Sequence, residues 1–176
     1  MHRLIPHPDT PAPFVTAIEV TTNLSEAGDL TLTYTLAADL KHLRIPEPTP
    51  PTRADDLWRH TCFEAFIQGD DAPAYREFNL SPSGQWQAYA FVDYRRGGPL
   101  APAPAPTMKR EDSANSLTLV CTLPAEAVPR GRLLRLGLTA VVEAVDGSLS
   151  YWSLRHAPGK PDFHHTHAFA LSLERP

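Results

Sequence analysis

Hydrophobic and polar positions alternate with a period of two along most of the chain, and no stretch of ordinary helix length sustains the helical period. Residues 30–36 are the cleanest case. Leu30, Leu32, Tyr34 and Leu36 share one face and threonines the other, as in a half-exposed antiparallel strand. Similar patterning predicts strands over residues 14–21, 117–123, 133–145, 149–155 and 168–173. The segment 23–29 between the first two reads as a turn, with Gly28-Asp29 at its tip.

The chain is organised around residues 58–94, which read as three consecutive strands joined by two short turns. Period two puts Trp58, His60, Cys62, Glu64, Phe66 and Gln68 on one face of the first, and Arg59, Thr61, Phe63, Ala65 and Ile67 on the other. The second places Tyr75, Glu77, Asn79 and Ser81 together, with Phe78 and Leu80 opposite. Ser83-Gly84 turns the chain into the third, at 85–93, and Asp146-Gly147 signals another hairpin. The 19 prolines fall almost entirely between the periodic segments. PEPTPPT at 46–52 and APAPAP at 101–106 read as extended loops, the second as a long crossing connection or flap. LPAEAV at 123–128 is one helical turn at most.

Roughly ten short strands with turn chemistry between them predict an all-β fold: an antiparallel β-sandwich with jelly-roll or immunoglobulin-like connections. The length of 176 residues predicts a single domain over 1–176 with a core of its own. A net charge of −4 leaves no basic footprint for nucleic acid or an anionic membrane surface, and neither is expected as a partner. No apolar run approaches the about 18 residues of a membrane helix, and the proline-broken N-terminus lacks a signal-peptide core. A cytoplasmic location is the expectation, with Cys62 and Cys121 as buried free thiols.

One face of the central strands gathers carboxylates, an amide and aromatic rings where a core strand would carry only apolar groups. Glu64 and Glu77 sit on adjacent predicted strands, and Glu143 lies in a third that is otherwise apolar. A buried carboxylate costs several kcal/mol unless it is paired or hydrated. Arg53, Arg95 and Arg155 are the candidate structural partners; a ligand's hydroxyls, or a glycosidase mechanism shared by two glutamates, are the functional alternatives. Trp58, Trp86 and Trp152, with Tyr75, Tyr89, Tyr94 and Tyr151, fall in or beside the same strands, which suits sugar stacking and equally an ordinary core. Asp162, His164, His165 and His167, with His156, resemble a metal loop, against a bland alternative of a hydrogen-bonded clasp. There is no G-x-S-x-G elbow and no phosphate-binding glycine loop.

The residues Arg53, Asp55 (or equally Asp56) and Leu57 through Phe66, then Tyr75 through Trp86, Ser150 through His156 and Pro161 through His165, form a pattern that resembles the bacterial DOMON-like domains. These are similar to family-nine carbohydrate-binding modules and to the haem-binding domains of certain dehydrogenases. The resemblance implies a non-catalytic binding module for a small sugar or similar polar ligand. A tryptophan six residues before a glutamate opens the sugar clamp of the carbohydrate-binding relatives, and Trp58 and Glu64 have that spacing. Trp152 is the candidate second wall, and Glu77, Asn79, Arg53, Arg95, Trp86, Tyr89 and His156 complete the expected ligand-binding set. Thr61 and Cys62 stand where the relatives carry acidic residues, which counts against a bound calcium. A haem- or redox-linked domain is the alternative the resemblance leaves, with Met108, beside Lys109, or His156 as axial ligand.

Overall fold

The computed structural model describes residues 1–70 and 73–175. Its regular structure is twelve strands: β1 (His2–Pro6), β2 (Val15–Leu24), β3 (Leu30–Ala38), β4 (Cys62–Gly69), β5 (Tyr75–Leu80), β6 (Trp86–Asp93), β7 (Arg96–Pro99), β8 (Thr107–Asp112), β9 (Ser116–Leu123), β10 (Leu133–Glu143), β11 (Leu149–Ser153) and β12 (Leu171–Glu174). Short 3₁₀ turns supply the helical content among the described residues, and all the strand pairings are antiparallel.

The strands form two facing sheets. The larger runs β7-β6-β5-β4-β10-β11, with β12 also paired to β10; the smaller runs β2-β3-β9-β8. β1 joins them at a corner, pairing with β2 through His2, Arg3 and Leu4 and with β11 through Ile5 and Pro6. The main core lies between the sheets. Ile18, Val20, Leu32, Tyr34 and Leu119 come from the smaller sheet, and Phe63, Ile67, Phe78, Leu136 and Trp152 from the larger. Tyr34 stitches the layers, its ring stacked on Phe63 at 4.8 Å and its hydroxyl donating to the Glu64 carbonyl at 2.8 Å. Cys62 and Cys121 are buried free thiols, and burial pushes both well above the ordinary thiol range.

Three strands escape the sequence pattern. RGGP of β7 and TMKRED of β8 are edge strands whose glycines, proline and charges discourage pairing with other chains, and that composition disguises them. β1 is short and ends in proline. The expected strand at 58–68 is also shorter than its pattern at its start. Leu57–Arg59 is a 3₁₀ turn entered through Asp56 at φ 60°, and β4 starts at Cys62.

The outer face of the larger sheet is not bare. The segment after β11 folds back over it, and Phe163, Ala168 and Phe169 pack on Phe66, Tyr75 and Val141 in a second, smaller cluster. Gly137 in β10 is required by this cover: a Cβ there would meet Phe169 Cδ1 at 2.8 Å. The folded-back segment leaves a gap beside it, and the gap is the candidate site.

Candidate functional site

A cavity of about 670 Å³ opens between the outer face of the larger sheet, the segment after β11 and the 3₁₀ turn at Trp58. This falls within the roughly 300–1,000 Å³ of small-molecule sites. Its floor is strand: Glu64 and Phe66 from β4, Glu77 from β5 and Val141 from β10. Tyr89 and Phe91 of β6, Tyr151 of β11, and Phe163 and His164 of the folded-back segment form the walls. Asp56, Trp58, Arg95 and Lys160 stand exposed at the mouth.

Sheet register brings the floor together. Glu64 faces Asn79 on one side and Thr139 on the other, while Glu77 faces Phe66 and Tyr89. The two glutamates are therefore diagonal neighbours on adjacent strands, with side chains on the same face. Glu64 is 3% exposed and Glu77 6%. Thr139 Oγ1 donates to Glu64 Oε2 at 3.1 Å, and Asn79 Nδ2 donates to Glu77 Oε1 at 3.0 Å. Burial pushes Glu64 well above the ordinary carboxyl range, and the neighbouring Glu77 pushes it further. Burial likewise raises Glu77 to about 7, against the opposing pull of Asn79 and Arg95. Near neutral pH this pair retains protons that a solvated pair would have lost.

The wall beside Glu77 is a fixed relay. The Arg95 backbone N–H donates to Tyr75 Oη at 3.1 Å, and the Tyr75 hydroxyl and His164 Nδ1 share a hydrogen bond at 2.8 Å. His164 Nε2 faces Glu77 Oε2 at 3.6 Å. Burial lowers His164 to about 4, so its imidazole is neutral at pH 7. Arg95, at φ 52°, donates from its guanidinium to Asp162 Oδ1 at 2.8 Å, and Tyr94 donates to the other oxygen of Asp162 at 2.7 Å.

At the mouth, the Arg59 guanidinium lies over Trp58, 4.9 Å from the ring centroid, and Arg59 is itself held by Asp56 at 3.2 Å. Trp58 is 42% exposed, a large flat ring held in water beside two carboxyls.

Of the residues singled out in the sequence, Trp58, Glu64, Glu77, Tyr89 and Arg95 line the cavity, and Asn79 supports it from beneath. Four do not. Trp152 is 4% exposed and faces the core, its indole N–H donating to Ser150. The aromatic wall comes instead from Tyr151, one residue earlier and so on the opposite face. Trp86 is a core residue with Arg53 over its ring at 5.4 Å, and Arg53 donates to Gln87 Oε1 and the Leu100 carbonyl. His156 bonds the Ile5 carbonyl through Nε2 and meets His7 edge-on, outside the cavity.

Glu143 also lies apart. Its partners are Arg44 and His60, at 2.9 and 2.8 Å, rather than the arginines expected from the sequence. His60 therefore does not join the site face. Asp162 and His164 are committed to Arg95, Tyr94 and Tyr75, and among the described residues no three His, Cys, Asp or Glu side chains gather as metal ligands. Met108 packs against the main core from β8. Phe91, Phe163 and Lys160 are cavity residues the sequence reading did not select, and Tyr151 was named there among the stacking aromatics but not in the ligand-binding set. Phe91 was recoverable, since it alternates with Tyr89.

No family profile and no curated protein matches this chain. Among solved structures, its fold is similar to that of a "putative carbohydrate-binding protein" from Bacteroides uniformis. The TM-score is 0.66 over 98% of this chain and 84% of that one, at 17% identity. At that identity the likeness establishes the sandwich architecture.

Proposed function

We propose that this protein is a non-catalytic binding module for a small carbohydrate, of the DOMON-like type, and that the cavity over β4, β5 and β10 is its site. The observation that carries the reading is the floor: two buried carboxyls, each with one protein hydrogen-bond donor, open to an aromatic-walled space. Sugars offer what this arrangement lacks. Their hydroxyls donate to Glu64 and Glu77, while C–H faces stack on Trp58 and Tyr151. The motif pattern around Trp58 and Glu64, and the fold shared with the Bacteroides uniformis protein, support the same reading.

Binding is favoured over glycoside hydrolysis by the direction of the carboxyls. Glycosidase carboxyls flank the scissile bond from two sides, whereas Glu64 and Glu77 rise side by side from one sheet face. The test is calorimetry against a panel of monosaccharides and disaccharides. A binding sugar is expected to lose about tenfold or more in affinity with Trp58→Ala and with Glu64→Gln, circular dichroism remaining unchanged. A panel with no binder, or a binder indifferent to both substitutions, rejects the reading.

A further inference from the structure

Resting on the carbohydrate reading above, we infer that the cavity selects amino sugars, seating a protonated amine between Glu64 and Glu77. Once ionised, the two carboxyls of the floor present acceptors alone. Glu64 Oε2 and Glu77 Oε1 each receive one hydrogen bond, from Thr139 and Asn79. Among the described residues no side-chain hydrogen bond reaches Glu64 Oε1, and His164 Nε2 stands 3.6 Å from Glu77 Oε2. Beneath them Asn79 Oδ1 is buried without a donor. A hydroxyl brings one donor and no charge. An ammonium brings three donors and the charge that two desolvated carboxyls lack.

The distribution of charge points the same way. The groups lining the cavity are Asp56, Glu64 and Glu77 against Arg95 and Lys160. The Arg95 guanidinium is committed to Asp162, and Lys160 is exposed at the mouth. His164 is neutral at pH 7, its imidazolium disfavoured by burial. The floor is thus anionic in capacity, and the guanidinium that acts on it, Arg95, is already paired with Asp162. The aromatic walls around it add cation–π attraction for an ammonium that they do not offer a neutral sugar. In the empty protein the carboxyl pair holds protons near neutrality. Seating an ammonium favours the ionised pair, so binding expels a proton to solvent.

The experiment titrates the full chain near neutral pH with D-glucose, D-galactose and D-mannose, each beside its 2-amino-2-deoxy counterpart and that amine's N-acetyl derivative. Two buffers of different ionisation enthalpy are used. For at least one stereochemistry the free amine is expected to bind about tenfold or more tightly than both the neutral and the N-acetyl sugar. The observed heat should differ between buffers by an amount that reports proton release, and Glu77→Gln should remove the advantage of the amine. If a neutral or N-acetyl sugar binds as well as the amine, this inference falls and the carbohydrate reading stands. If none of the nine sugars binds, this inference falls, and the carbohydrate reading falls with it only if the wider panel of monosaccharides and disaccharides also holds no binder. An amine advantage that survives in the Glu64→Gln/Glu77→Gln protein also overturns it, because the carboxyls are then not its source.

Discussion

Asn79 shows how narrowly the floor is balanced. It is fully buried, donates a side-chain hydrogen bond to Glu77, and faces Glu64 in register. Asn79→Asp is nearly the same size, yet it replaces a donor with a third carboxyl in a water-poor place. Breaking such a contact and adding like charge is expected to cost about 3–5 kcal/mol at pH 8. At pH 5 the cost should be much smaller, because the new acid can stay protonated. Urea midpoints at the two pH values check this, and equal losses at both would mean that charge is not the cause. The presence of Glu64, Glu77 and Asn79 on one face was legible from alternation alone. Their protonation was not, since it depends on how the segment after β11 covers them.

At the scale of elements, what could be read was parity, and where it failed a strand boundary or a register was at fault. Trp58 reaches the cavity, but not by extending β4: it stands on a 3₁₀ turn and is braced by Arg59, a local conformation that period-two reasoning cannot see. For β11 the pattern SYWS offers two adjacent aromatics, and only pairing decides which faces out. Tyr151 pairs with Val141 and looks into the cavity; Trp152 pairs with Ala140 and enters the core. The two should therefore separate cleanly on substitution. Trp152→Ala is expected to lose about 3–5 kcal/mol of stability through the void it leaves. Tyr151→Ala, on the half-exposed face, should lose about 1 kcal/mol while weakening ligand binding. Denaturant unfolding paired with calorimetry tests both, and a Tyr151→Ala protein as unstable as Trp152→Ala would place that ring in the core.

At the scale of the whole molecule, the site sets how stability responds to pH. Glu77 is raised from 4.5 to about 7 by burial, so between those values the native protein keeps a proton that the unfolded chain has lost. Raising the pH through that window favours unfolding, and Glu64, raised for the same reason, adds to the effect. His164 runs the other way. Burial lowers it from 6.5 to about 4, so the unfolded chain takes a proton that the native protein refuses, and stability rises with pH across that window. At about 1.36 kcal/mol per pH unit, Glu77 and His164 each contribute roughly 3 kcal/mol, opposed in sign where their windows overlap. Asp39, Glu111, Asp112, Asp146 and Asp162 are held below their ordinary values, so they lose stability only at more acidic pH. The ligand-free protein should therefore lose stability gradually from about pH 5 and more steeply above about pH 6.5, where the opposing contribution of His164 is exhausted. His164→Phe should make the fall steep from about pH 4.5 onward. Glu64→Gln/Glu77→Gln should reverse it, giving a protein that gains stability up to about pH 6.5 and then levels. Urea midpoints across that range decide the matter: parallel curves for the wild type and the double variant would mean that these buried carboxyls do not govern the response.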